Sequence, residues 1–233
     1  MMRASRISTR ARNALFKCFV LDMSATQAAA MSKVSRPCAN RYYREYREKI
    51  YRALRKAPRF SGEVEIDQAF FGGRGGHDAR AQLKALSELP LPRREYERRA
   101  KLIRKNMKIQ VFGIRQRFGD VYVQIIPKAD KNTLMPIIRL VVEEGSTIYT
   151  DQWRGFADLK IDGYTHKSIN HSLEYSDKKG THINSIEAFW SYAKRRMAKF
   201  NGISRTTWQL HLKECEFRYN HKDDLATALK ALL

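Results

Sequence analysis

Asp67, Asp151, Glu187 and Lys194 are the residues of this chain whose types could act together on a phosphate. Divalent cations such as Mg2+ prefer hard oxygen donors, so three carboxylates suffice when waters and phosphate oxygens complete the shell. Two such cations activate an attacking oxygen and stabilise a leaving one, and a lysine beside them can contact a phosphate. Glu187 and Lys194 stand seven positions apart, so on a helix both project from nearly the same side, roughly 10 Å from each other. Taken singly, each residue has a plainer reading. Glu187 and Lys194 suit a solvated pair on an exposed helix, and Asp151 before Gln152-Trp153 suits a turn or a cap.

The surrounding pattern says which elements must carry them. From His182 to Arg196, Ile183, Ile186, Phe189 or Trp190, and Ala193 recur at three- and four-residue steps and continue to Met197, which predicts an amphipathic helix. Asn184 is its expected cap and Asn201-Gly202 its stop. Glu63–Phe71 alternates Val64 and Ile66 with acids, a strand pattern ending at Gly72-Gly73. Asp67 then shares a face with Glu63 and Glu65, opposite Ile66. Three acids together in so basic a chain either repel DNA or bind a cation, and Asp67 is the cation candidate. Two strands, Ile109–Arg115 and Val121–Ile126, flank a turn at Phe118-Gly119-Asp120. A helix follows over Asn132–Val142, capped by Asn132 or Thr133 and ended by Gly145. Ser146–Thr150 reads as a buried strand terminating at Asp151, Trp153–Leu159 as one or two helical turns, and Thr165–Ile169 as a fifth strand. A polar loop (Glu174–Gly180) leads to the long helix, and a last helix, Thr207–Tyr219, buries Trp208, Leu212, Cys215 and Phe217 or Tyr219. This order is that of an α/β, RNase H-like mixed sheet, in which acids on the first strand, at the end of the fourth and on a later helix converge. Asp67, Asp151 and Glu187 occupy those places.

Charge narrows the partner. Forty-five Lys and Arg against 24 Asp and Glu give a net charge of +21, which calls for a polyanion: nucleic acid first, an anionic membrane second. No apolar run approaches the roughly 20 residues of a membrane span, and Met1-Met2-Arg3-Ala4-Ser5-Arg6 leads into no signal-type apolar core. Cys18, Cys38 and Cys215 are odd in number and widely spaced, which argues against a disulfide framework or a zinc ribbon and fits a reducing cytoplasm. Residues 1–60 carry 15 Lys or Arg against three acids. Within them, a short alanine-rich helix capped by Ser24, a turn at Ser32–Ser35, and a basic, aromatic helix over Arg36–Leu54 form a small helix-turn-helix-like domain. Its DNA-binding candidates are Arg36, Arg41, Tyr42, Arg44 and Arg47, with an ordinary charged helical hairpin as the alternative. Lys56-Ala57-Pro58-Arg59 is the expected joint to a catalytic domain at residues 61–221, with residues 222–233 as a tail. Residues 74–108, holding 11 Lys or Arg against four acids and a short helix over Arg94–Lys105, form a basic insertion. It either grips a phosphate backbone or is a solvated loop.

Four strings carry a resemblance: Ile66-Asp67-Gln68-Ala69-Phe70-Phe71-Gly72-Gly73, Tyr149-Thr150-Asp151-Gln152-Trp153, Ile169-Asn170-His171-Ser172, and His182-Ile183-Asn184-Ser185-Ile186-Glu187-Ala188-Phe189-Trp190 through Lys194. They resemble the transposases of bacterial insertion sequences of family fifteen-ninety-five. Lys199-Phe200-Asn201-Gly202 and Leu212–Asn220 are similar to its ten-sixteen subgroup. The resemblance implies a DDE transposase that cuts and joins DNA with Mg2+ or Mn2+. Asp67, Asp151 and Glu187 would be its metal triad and Lys194 the accompanying base. Its partners would be double-stranded DNA, both terminal repeats and target, and a second copy of itself in the synapse; no membrane is implied. It would work in the bacterial cytoplasm, at the nucleoid. Related groups place asparagine or histidine where the third acid falls, so Asn184 stays a second candidate. His171 and His182 could orient a phosphate or simply satisfy loop hydrogen bonds. The chain departs from its relatives in lacking an N-terminal zinc ribbon, in Gln68, and in Arg80–Lys105. A non-catalytic DNA-binding derivative is the competing function, and a nuclease acting on hybrids is a third.

Overall fold

The computed structural model describes residues 7–72, 77–106, 108–151, 163–169, 184–200 and 203–233. The expected turns at Trp153–Leu159, the loop Glu174–Gly180 and the stop at Asn201-Gly202 lie outside the described residues. The chain divides into two units, Met1–Lys56 together with His221–Leu233, and Ala57–Asn220.

The first unit is helical: α1 (Thr9–Val20), α2 (Ala25–Ser32), α3 (Arg36–Ala53) and, from the far end of the chain, a short helix at Leu225–Ala231. Serines start the first three. Ser8 accepts from the Ala11 N–H, Ser24 forms a capping box with Gln27, and Ser35 accepts from the Cys38 N–H. Lys33 ends α2 in the left-handed region (φ 52°), so only Lys33-Val34-Ser35 separates α2 from α3. The core is aromatic. Phe19 meets Tyr43 and Tyr46 edge-on, with ring centroids 4.9 and 5.1 Å away. Residues 222–233, expected as a tail, contribute the fully buried Leu229, and Lys49 donates to the carbonyls of Leu232 and Leu233.

The second unit is built on a five-stranded mixed sheet in the order β3-β2-β1-β4-β5, with β1 at Glu63–Phe71, β2 at Ile109–Gln116, β3 at Val121–Ile126, β4 at Thr147–Asp151 and β5 at Thr165–Ile169. β1–β2 and β2–β3 are antiparallel, whereas β1–β4 and β4–β5 are parallel. The insertion between β1 and β2 is more helical than its sequence suggests, containing α4 (His77–Ser87) as well as α5 (Arg93–Asn106). On one face of the sheet, Val64, Ile66, Phe112, Ile114 and Ile148 pack against Leu134, Ile138 and Val141 of α6 (Lys131–Val141). The cap of α6 is Asp130, which accepts from the Thr133 N–H, and not Asn132 or Thr133; the helix simply starts one residue sooner. On the other face, α7 (Asn184–Ala198) and α8 (Arg205–Asn220) bury Ile186, Phe189, Trp190, Ala193, Met197, Trp208, Leu212 and Cys215 against Ala69, Val111, Val121 and Val123. Each of the larger buried side chains contributes about 1.5–3 kcal/mol. The last helix, Leu225–Ala231, is α9.

α8 also buries four charged side chains, Lys213, Glu214, Glu216 and Arg218. Glu214 is held between Arg196 and Arg218, and Glu216 accepts from Lys213 and from the Val123 N–H. Burial pushes the Glu216 carboxyl up to about 7 against the pull of Lys213. One turn on, the Asn220 side chain accepts the Val121 N–H and donates to the Val121 carbonyl, both at 2.9 Å. An amide side chain thus takes the place of a neighbouring strand on the β3 edge. Asn220→Ala should remove both bonds and lower stability in urea by about 1–3 kcal/mol without changing the denaturant slope. An unchanged unfolding midpoint would show that water replaces Asn220 at no cost.

Candidate active site

β1 and β4 lie side by side in parallel register, with Glu65 opposite Tyr149 and Ile66 opposite Thr150. The pairing ends there, and the same register continued by one residue leads Asp67 toward Asp151, on strands whose axes are about 4.8 Å apart where they pair. Two carboxylates that are 84 positions apart in the chain therefore share one row of the sheet. The same row continues through Gly113, the β2 partner of Asp67.

α7 carries Glu187, the expected third acid, and the buried Glu65 and the half-buried Arg115, two rows earlier, set where that helix begins. Glu65, 2% exposed, accepts from Ser185 Oγ at 2.6 Å, from the Ile186 N–H at 2.9 Å and from Arg117 Nε at 3.2 Å. Arg115, opposite Glu65 on β2, donates to the Ser185 carbonyl and to the Tyr219 hydroxyl. Glu65 thus caps α7 from a neighbouring strand, at the helix end where a negative charge is favourable. Asn184, expected as the cap, is the first residue of the helix itself and is exposed. Glu65 was legible only as one of three acids on a strand; its role as an anchor is set by tertiary structure.

Nearly two turns into α7, Trp190 Nε1 donates to Asp67 Oδ2 at 3.0 Å. Glu187 and Lys194 are both exposed on α7, two turns apart, as their spacing predicts. Burial raises the Asp67 carboxyl from its ordinary value to about 6. The Gln68 N–H and Trp190 pull it back down, while the negative charges of Glu187 and Asp151 push it further up. Asp67 therefore feels both other members of the expected triad. Among the described residues, no three His, Cys, Asp or Glu side chains form a group ready to hold a metal. Residues 152–162 and 170–183, which follow Asp151 and precede Glu187, lie outside them, as do His171 and His182. The donor set fits a hard divalent cation in kind. It consists of carboxylates only, on neighbouring elements, and their mutual repulsion is what a cation relieves.

The helical unit sorts the DNA-binding candidates. Arg36, Arg41 and Arg44 of α3 are exposed, and Arg44 carries an i,i+4 pair with Glu48. Tyr42 and Arg47 are buried at 7% and 9% exposure, and the Arg47 guanidinium lies over the rings of Phe19 and Tyr43. Both belong to the core of the helical unit. A long basic side chain can bury its stem and stack its head on aromatics, which composition alone does not reveal. Asn40, one turn from both Arg36 and Arg44, shares their exposed face, an uncharged residue that a search for basic side chains passes over.

The shift of Asp67 has a consequence for stability. A carboxyl whose folded value lies above its unfolded value favours folding while protonated, and that contribution is lost as pH rises from about 4 through 6. Asp67→Asn, which can still accept from Trp190, should stabilise the metal-free protein by about 1–3 kcal/mol at pH 8 and by almost nothing at pH 4. Equal unfolding midpoints at pH 8 would mean that Asp67 titrates normally.

A family model for the ISXO2-like transposase domain matches residues 59–220. A protein of Haemophilus influenzae described as an uncharacterized transposase-like protein is 41% identical over 103 residues, which is 44% of this chain and 83% of that one. The match to the family model covers the whole sheet, both covering helices and all three acids, and the chain belongs to the ISXO2-like transposase domain family.

Proposed function

We propose that this chain is an active DNA transposase of RNase H-like architecture, which cleaves and joins DNA at insertion-sequence ends. The observation that carries the reading is the parallel register that leads Asp67 of β1 on to Asp151 of β4, with the Asp67 carboxyl raised to about 6 chiefly by burial and further by the negative charges of Glu187 and Asp151. A protein with no use for those acids gains nothing by gathering like charges on one face.

In this reading Asp67, Asp151 and Glu187 hold Mg2+ or Mn2+. Bound there, the cations supply Lewis acidity toward the scissile phosphate and activate the attacking oxygen. Lys194, two turns beyond Glu187, neutralises a phosphate next to the one that reacts. Water first hydrolyses the phosphodiester at the element end, leaving a 3′-hydroxyl. That hydroxyl then attacks a target phosphodiester in line and releases a new 3′-hydroxyl in the target strand. Holding two ends for this sequence of steps requires at least two copies of the chain.

DNA recognition falls to the exposed face of α3. The three-residue turn Lys33-Val34-Ser35 before a basic helix suits a helix-turn-helix, whose second helix enters the major groove. Asn40 has the donor–acceptor pair that reads adenine, and Arg36, Arg41 and Arg44 can read guanine or hold phosphates. The arginines of α5 add positive charge. Arg98 and Arg99 pair with Glu95 and Arg93 with Glu97, which stiffens this helix as well as neutralising part of it.

Two experiments test this. Labelled insertion-sequence end DNA incubated with Mg2+ should be cut by wild type and not by Asp151→Asn or Glu187→Ala, each with end binding retained. Loss of cutting with Asn184→Ala in place of Glu187→Ala would move the third ligand back one turn, and a wild type that binds ends without cutting would favour the non-catalytic derivative. In binding titrations, Arg36→Ala, Arg41→Ala and Arg44→Ala should each weaken binding and lower the salt slope by about 1 for each phosphate no longer neutralised. Arg47→Ala should instead lower the melting temperature. Unaltered affinity in all three surface variants would exclude α3 as the DNA-reading helix.

A further inference from the structure

Gly113 sits in the middle of β2 directly opposite Asp67, and the space its missing side chain leaves is filled by an indole. A Cβ built on Gly113 would lie 2.5 Å from Trp190 Cζ2, 2.7 Å from Cη2 and 3.1 Å from Ile186 Cδ1. No side chain fits there unless Trp190 moves. Phe71 and Phe189 hold the indole from other directions, with ring centroids 6.0 and 5.1 Å away, and the residue is 4% exposed. Apolar packing therefore fixes the ring plane, and with it the direction of the one polar bond, from Nε1–H to Asp67 Oδ2. An isolated glycine inside a strand pattern is the sequence mark of such a close approach.

We propose that Trp190 is a positioning residue for the metal centre: seated in the gap at Gly113, its indole N–H holds the Asp67 carboxylate in the orientation that faces Asp151 and Glu187. The inference rests on the catalytic reading above and adds a residue to it. Trp190 lies three positions after Glu187 on α7, so its bond joins the first acid to the helix that carries the third. Glu65 and Arg115 fix where α7 starts, but they act two rows away and leave the Asp67 side chain free to rotate. Trp190 and the Gln68 N–H remove that freedom. A carboxylate fixed before the metal arrives loses less rotamer entropy on binding, and partners of metal ligands typically carry about 10- to 100-fold in affinity.

The test uses the full chain. In the 1H–15N spectrum the Trp190 indole resonance, identified by its absence in Trp190→Phe, should move in Asp67→Asn and broaden on adding Mn2+. Mn2+ affinity should fall about tenfold in Trp190→Phe, whose ring still fills the gap, with the melting temperature changing by only a few degrees. Turnover on end DNA should fall with DNA affinity unchanged. Gly113→Ala should lose metal affinity too, although the added methyl touches no ligand, and the double variant should lose no more than the larger single loss. An indole resonance indifferent to both Asp67→Asn and Mn2+, or Trp190→Phe with wild-type Mn2+ affinity, overturns the proposal while leaving the catalytic reading intact. A wild type that takes up no Mn2+ overturns both.

Discussion

A strand and a helix that each carry part of one site must be locked against sliding, and here a single buried carboxylate does most of that work. Glu65 accepts a hydroxyl, a helix-opening N–H and a guanidinium at once, from Ser185, Ile186 and Arg117. Each bond satisfies a group that would otherwise be stranded on burial, and together they leave the carboxylate itself fully paired. Arg115 completes the lock by taking the Ser185 carbonyl from the adjacent strand. Sliding α7 by one residue would break the bonds from Ser185 and Ile186 to Glu65 and the one from Arg115 to the Ser185 carbonyl, and would carry Glu187 away from Asp67. The site residues Asp67 and Glu187 can then be strained or repelled by one another without the frame giving way.

The division between frame and site is visible in how the acids of β1 are used. Glu63 is exposed and its carboxyl is held low, chiefly by the Tyr149 hydroxyl and then by Arg117. Glu65 is buried and paired. Asp67 is half-buried, sits in the field of two other carboxylates, and is pushed up. Three acids on one strand face thus have three different surroundings, and only the third is held in a state that a metal would improve.

Much of this frame was legible in the sequence. All five strands and the long helix follow from residue alternation and three-to-four periodicity, because those elements each bury one face and the pattern records which face. Strand parity and helical steps likewise fix the directions of Asp67, Glu187 and Lys194, while the joining of Asp67, Asp151 and Glu187 into one triad rests on fold order and on the family resemblance. What could not be read is whatever depends on partners distant in the chain. Glu65 reads only as one of three acids on a strand, Arg47 and Tyr42 as DNA-binding candidates, and nothing in the pattern marks Lys213, Glu214, Glu216 and Arg218 as buried. Glu65, Arg47, Glu214 and Glu216 are met by groups from other elements, whereas Lys213 and Arg218 find their ion-pair partners on their own helix, and charge taken alone reads as exposure. The cap of α6 was missed by two residues for a smaller reason: Asp130, Asn132 and Thr133 are all good caps, and only backbone geometry selects among them.

The division of the chain into units bears on how it is made. His221–Leu233 belongs to the same unit as Met1–Lys56, with all of Ala57–Asn220 between them. On a ribosome adding roughly 5–20 residues per second, the first helices emerge about ten to forty seconds before the segment bearing Leu229 and the carbonyls that Lys49 binds. For that interval the sheet-bearing unit is growing while the helical unit still lacks a wall. A gene copy cut short by a late frameshift would yield a product whose opening segment, not only its last one, is left unfinished.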